Sequence, residues 1–165
     1  MKNRGMTRRE REITDMNDIL FILDKCKFLH LGLVDGDEPY VVPLNYGYTM
    51  EDGKLTVYMH CATRGYKLDV IRQNPKAFFV MECDVAGFEG EKPCQYGTTY
   101  KCLMGRGTAE TIEDPQEKMS ALSIFMKTQT DLDFEFNEKL VSAVSIIKIE
   151  ADEYTAKARI HPREK

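Results

Sequence analysis

No C-x-x-C pair occurs anywhere in this chain, and its five cysteines (Cys26, Cys61, Cys83, Cys94, Cys102) make an odd number. Structural zinc takes thiolates two to four residues apart, and a secreted disulfide framework uses an even set at close spacing. Both are set aside in favour of reduced thiols. His30, His60 and His161 lie far apart, with no H-x-x-x-H pattern, which removes the usual histidine metal site. No stretch nears the ~20 consecutive apolar residues of a membrane helix. The opening MKNRGMTRREREITD is basic but leads into no apolar segment, so it does not read as a signal peptide. Positive charge is not in excess either. The 23 Lys and Arg against 27 Asp and Glu leave −4, which argues against a nucleic-acid-binding face. G-x-S-x-G, P-loop and dinucleotide fingerprints are missing, as are internal repeats. The expectation is a cytoplasmic protein with neither nucleic acid nor membrane as partner.

What is there suffices for one domain. The 165 residues, 42% of them hydrophobic, can bury roughly 70% of the unfolded surface. Residues 1–13 read as an arm in which Lys2, Arg4, Arg8, Arg9 and Arg11 alternate with Glu10 and Glu12. Residues 14–160 form the domain and 161–165 a tail. Thr14 or Asp15 caps a helix with Met16, Ile19, Leu23 and Cys26 at helical spacing. FLHLGLV (28–34) and YVVPLNYGY (40–48) read as a hairpin across the turn at 35–39. Pro43 cannot donate to a ladder, so its strand is an edge or is bulged there. KLTVYMH (54–60) alternates, with Leu55, Val57 and Met59 on one face.

Thr63 caps a short helix that Asn74-Pro75 ends, and KAFFVMECD (76–84) is a strand. Residues 85–97 have the Gly and Pro of a loop, and 99–111 form a long strand broken by Gly105 and Gly107. Asp114-Pro115-Gln116-Glu117 opens a helix with Met119, Leu122 and Met126 inward. Residues 129–141 read as a loop with a helical turn, and 142–160 as one long strand or two short ones. Six or seven hairpin-linked strands without a strand–helix–strand rhythm predict a mainly β fold, an antiparallel barrel with flanking helices.

Two segments carry chemistry. In HCATRGYKLDVIRQNP (60–75) a strand ends at His60 and a helix begins near Arg64-Gly65. A helix N-terminus offers free N–H groups to a phosphate, and Arg64 and Lys67 add charge. The same pattern also describes an ordinary capped helix with solvated basic residues. His60 and Cys61 are successive strand residues on opposite faces, so they make a poor nucleophile pair. In VVPLNYGY (41–48), Pro43 leaves backbone groups without ladder partners. Those groups and Asn45 can meet the edge of a planar heterocycle. Equally, Pro43 blunts an edge strand against aggregation.

Taken together, P-L-N-Y-G-Y followed by H-C-A-x-x-G-x-K-L, N-P and an apolar strand resembles the pyridoxamine 5′-phosphate oxidase-like, FMN-binding split-barrel family. The resemblance is to its 5-nitroimidazole-resistance (Nim) branch and runs from about Met6 to about Ile149. It implies a six-stranded antiparallel split β-barrel and a homodimer with flavin, FMN or FAD, at the subunit interface. Val42, Pro43, Leu44 and Asn45 would lie along the isoalloxazine ring. His60, Cys61 and Ala62 would line the ribityl–phosphate stretch, and Lys67 would hold the phosphate, with Arg64 nearby. Tyr100 and Cys102 stand where many relatives have an aromatic-x-Ser pair, from which Cys102 departs. The implied activity is flavin-dependent reduction of small electron-poor substrates such as nitroimidazoles. Tyr46, Tyr48, Tyr58 and the 85–97 loop can wall an aromatic slot for them; equally, these tyrosines cover the barrel exterior. The alternative is a non-catalytic flavin- or haem-related storage or sensor protein. A pyridoxamine-phosphate oxidase proper is disfavoured, because Arg159 and His161 only faintly echo its substrate motif.

Overall fold

A computed structural model describes residues 6–161. Lys2 and Arg4 of the basic cluster, and the tail beyond His161, lie outside the described residues. A 3-10 turn at Arg9–Arg11 leads into β1 (Glu12–Ile13) and α1 (Met16–Lys25). Asp15 begins α1: its carboxylate accepts the N–H groups of Asn17 and Asp18, at 2.9 and 3.3 Å. Ile19, Ile22 and Leu23 recur on one face and are buried. Then come β2 (Phe28–Asp35), β3 (Glu38–Asn45), β4 (Gly47–Glu51), β5 (Lys54–Cys61), α2 (Tyr66–Gln73), β6 (Lys76–Phe88) and β7 (Gly97–Ile112). The chain continues through α3 (Pro115–Thr130), α4 (Glu138–Val141) and β8 (Ser145–Arg159).

All pairings are antiparallel, in the order β3-β2-β6-β7-β8-β5-β4, with β1 on the far part of β8. The sheet coils until β3 touches β5, yet these two strands share no ladder. The core fills the concave side. Leu29, Leu31 and Leu33 of β2, Leu55, Val57 and Met59 of β5, and Phe79 and Met81 of β6 are all buried at period two. Each such side chain contributes about 1.5–3 kcal/mol when fully buried. A one-residue slip of β2 would expose three leucines, so the hydrophobic alternation sets the register. A second cluster under α3 and α4 joins Ile112, Ala121, Leu122, Val141 and Ile146.

The mainly β, helix-flanked architecture is as expected, but the strands number eight. The single strand expected over 40–48 is two, because the chain leaves β2 after Asn45 and crosses to pair with β5. The arm supplies the other: Glu12 and Ile13 pair with Lys157 and Ala156, so it is solvated only in part. Pro43 causes no bulge. The β2–β3 register runs unbroken from Phe28↔Asn45 to Asp35↔Glu38, and Pro43 is accommodated because β3 ends the sheet. The loop expected over 85–97 shrinks at both ends, since β6 continues past a bulge after Cys83 to Phe88 and β7 starts at Gly97. Residues 145–159 are one strand, and the break at Gly105 and Gly107 takes the form of a register shift beside Arg106. In α3 the buried face is Ala121, Leu122 and Phe125, and Met126 is only half-buried. Among the described residues, no helix is long and apolar enough to cross a membrane.

Candidate functional site

The passage from β5 to α2 turns on Gly65. Its φ of 152° and ψ of 161° belong to a region essentially reserved for glycine. The first helical hydrogen bonds of α2 run from Leu68 and Asp69 N–H to Gly65 O, at 2.9 and 3.3 Å. The N–H groups of Tyr66 and Lys67 therefore stay outside the helix's own ladder. Thr63 is not the cap. Gly65 occupies that position, no side chain caps the helix, and Thr63 is exposed on the turn before it. The helix starts later than the Thr63 reading required, because the residue before it takes a conformation that only glycine adopts.

Around this turn, Ala62 and Arg64 are exposed and Lys67 is half-buried. Among the described residues neither cation has a carboxylate within ion-pair distance. Burial pushes the Cys61 thiol up, and the nearby Lys67 ammonium partly opposes that shift. Cys61 is thus a protonated thiol close to Lys67. The rings of His60 and of Phe125 in α3 meet edge to face, at 4.6 Å and 76°. Burial holds the His60 imidazole below the usual histidine range, so it is neutral at pH 7.

A clamp ties α2 to the β2–β3 hairpin. The Tyr66 hydroxyl donates to the Asp35 carboxylate, and the Tyr66 ring meets Tyr40 edge-on at 5.0 Å. At the other end of α2, the Asn74 amide donates to Val34 O at 3.3 Å. The N-terminus of α2 is thereby held beside the start of β3. Along β3, Val42 and Leu44 pack towards the core, while Val41, Pro43 and Asn45 face outward. Being the last strand, β3 has one edge of backbone N–H and C=O groups without ladder partners. Asn45 offers less than expected: one of its two amide N–H groups is spent on Lys27 O at 2.9 Å, leaving the other and its carbonyl oxygen.

Tyr100 and Cys102 are not brought to this place within one chain. They sit on β7, separated from β3 by β6 and β2. Tyr100 accepts a hydrogen bond from Arg11 at 3.4 Å and lines a separate cavity of about 480 Å³ with Phe88 and Arg159. Cys102 is buried between Glu82 and Lys157 of the flanking strands. The tyrosine slot does not form either. Tyr46 is fully buried, its hydroxyl donating to Leu23 O at 2.7 Å, because the break after β3 turns it inward. Tyr58 packs into the second cluster, and Tyr48 faces a cavity between α1 and α3. Tyr66, Asp35 and Tyr40 are the positioning residues that sequence reading missed. Asp35 and Tyr66 are 31 positions apart, and no spacing rule joins them.

The sequence profile of the family described as pyridoxamine 5′-phosphate oxidase matches residues 15–158. The chain belongs to that family. A solved structure of a candidate 5-nitroimidazole antibiotic resistance protein from Bacteroides thetaiotaomicron is 30% identical, with a TM-score of 0.76. It covers 89% of this chain and 86% of that one, in line with the branch that the PLNYGY and HCATRGYK blocks resemble. A flavocytochrome of Azotobacter vinelandii shares the fold at 18% identity and a TM-score of 0.78, over 98% of this chain and 76% of its own. A FAD- and haem-binding protein of Mycobacterium smegmatis does so at 16% and 0.75, over 89% and 72%. No curated protein matches the sequence. In family terms the coiled sheet is a split barrel.

Proposed function

We propose that the chain binds a flavin, FMN or FAD, across the join between β3 and the N-terminus of α2, and reduces small electron-poor substrates with it. One observation carries the reading: two cations and two helix N–H groups stand at one end of a strand edge, and among the described residues the cations have no carboxylate partner and the edge no ladder partner. The residues suit the two halves of the molecule. A phosphate needs the Tyr66 and Lys67 N–H groups, the Lys67 ammonium and the close backbone approach that Gly65 permits. A flat ring needs a wall with hydrogen-bonding edges, which β3 offers from Val42 to Asn45.

A bound flavin supplies the hydride or electron transfer; the chain supplies position and electrostatics. Lys67 and Arg64 neutralise the phosphate, and the Tyr66–Asp35 clamp keeps the helix end aimed at it. Neutral His60 and the protonated Cys61 thiol line the stretch between phosphate and ring without adding charge. Tyr100 completes the site from a second copy of the chain, while Cys102 stays buried within its own sheet. Support for that pairing comes from the outer face of β2, β3 and β6, where Phe28, Val41 and Phe78 are 50%, 62% and 48% exposed on adjacent strands. The nitroimidazole class rests on the 30% identical resistance-protein relative.

Purified protein is expected to be yellow, or to melt at higher temperature when FMN or FAD is added. A colourless protein indifferent to both would overturn the proposal. Anaerobic reduction of the bound flavin followed by a nitroimidazole tests the reaction. Reoxidation no faster than that of free flavin would leave a binding, storage or sensor protein in its place.

A further inference from the structure

The cavity between α1, β4 and the end of α3 measures about 760 Å³, within the range of small-molecule sites. None of residues 42–45 or 60–67 lines it, although it adjoins the proposed flavin wall where Lys27 O accepts the Asn45 amide. Leu20 and Met50 make its apolar surface together with the ring of Tyr48. Most of the polar groups there are already spent. Lys127 is held by Asp131 and Asp133, Thr128 donates to Ile124 O, and Thr130 donates to Met126 O.

Beside the Lys127–Asp131 ion pair, three further groups face the cavity, and two of them are fixed in place. Gln129 donates its amide N–H groups to Lys27 O at 3.1 Å and Tyr46 O at 2.7 Å, which leaves Oε1 as an immobilised acceptor. Asp24 accepts the Tyr48 hydroxyl on Oδ1 at 2.7 Å, so its second oxygen is oriented and open. The Lys27 ammonium has no carboxylate within ion-pair distance among the described residues. Apart from that ion pair, two acceptors, one of them anionic, share the cavity wall with one cation and an apolar surface.

We infer that this cavity binds a small zwitterion of the α-amino acid class, an ammonium and a carboxylate on an apolar body. The ammonium meets the Asp24 carboxylate and Gln129 Oε1, the carboxylate meets Lys27, and the body lies on Leu20, Met50 and Tyr48. Neutral planar molecules would leave both charges unanswered. A simple anion would face Asp24, and a simple cation would face Lys27. The fixed acceptors lower the ordering cost of binding.

The test uses the full chain, with and without added FMN. Saturation-transfer NMR with a mixture of the natural L-amino acids finds the preferred one, and calorimetry then compares it with its N-acetyl derivative and its amide. The free amino acid is expected to bind saturably, and each blocked form at least about tenfold more weakly, the scale of one lost charge-assisted hydrogen bond. Lys27→Met should abolish the preference over the amide, and Asp24→Asn the preference over the N-acetyl form. No saturable amino acid, or equal binding of all three forms, would overturn the inference. The three-probe comparison on the unaltered chain decides the matter even if a variant fails to fold.

Discussion

Lys67 and His60 show how much one side chain does at this site. Lys67 is half-buried, and among the described residues it has no carboxylate within ion-pair distance, so its charge is available to an anion. A charge-assisted contact to phosphate contributes about 1.5–3 kcal/mol. Lys67→Ala is therefore expected to weaken FMN binding about ten- to hundredfold, with Arg64→Ala a smaller effect. Riboflavin, which lacks the phosphate, should bind both forms alike. Equal losses for FMN and riboflavin would show that Lys67 acts through the fold. His60 offers a pH test. Its folded pKa is lowered by burial, so the fold favours the neutral ring. That contribution to stability is complete above about pH 6.5 and is lost as pH falls through the folded value. An NMR titration of the ring should show a midpoint below that of a peptide histidine; one at or above it would contradict the burial.

At the scale of elements, α3 is the piece whose docking holds the strand junction. A Cβ at Gly47 would stand 2.4 Å from Phe125 Cα, so β4 and α3 touch backbone to backbone. The Gln129 side chain bonds Tyr46 O, and Phe125 supports His60. Gly47→Ala must push α3 away, a clash with backbone that no rotamer relieves. Overpacking of this kind costs about 1–3 kcal/mol, and chemical denaturation should show that loss with little change in slope. The ring shifts of His60, which packs on Phe125 of that helix, should change with it. An unchanged midpoint would mean that the helix shifts freely and does not position the site.

The whole molecule raises the question of pairing. A sheet whose outer face carries Phe28, Val41 and Phe78 in neighbouring strands exposes apolar surface that a second copy would cover. Light scattering is expected to give twice the chain mass of 19.0 kDa. Replacing Phe28 and Phe78 together by Asp should give the single-chain mass and weaken flavin binding, because half the site would be lost. A dimer that survives this change would place the interface elsewhere.

Local chemistry explains why much of this was legible in the amino-acid order. Asp15 and Asp114 cap helices because a short carboxylate reaches N–H groups two or three residues on. Alternation of Leu55, Val57 and Met59 buries one face of β5 whatever lies beyond it. The blocks around Pro43 and Lys67 announced themselves as an edge strand and a helix start by residue type alone. Tertiary structure decided the rest. Tyr46 goes into the core and not into a substrate wall, because the crossing from β2 to β5 turns it inward to meet Leu23 O. Gly65 replaces Thr63 as the start of α2, because the backbone there takes a conformation open only to glycine. Tyr100 and Cys102 end two strands away from β2, since their place follows from sheet order, which depends on contacts between residues far apart in the chain. Short-range spacing determines caps, faces and strand edges; only long-range packing chooses which of them meet.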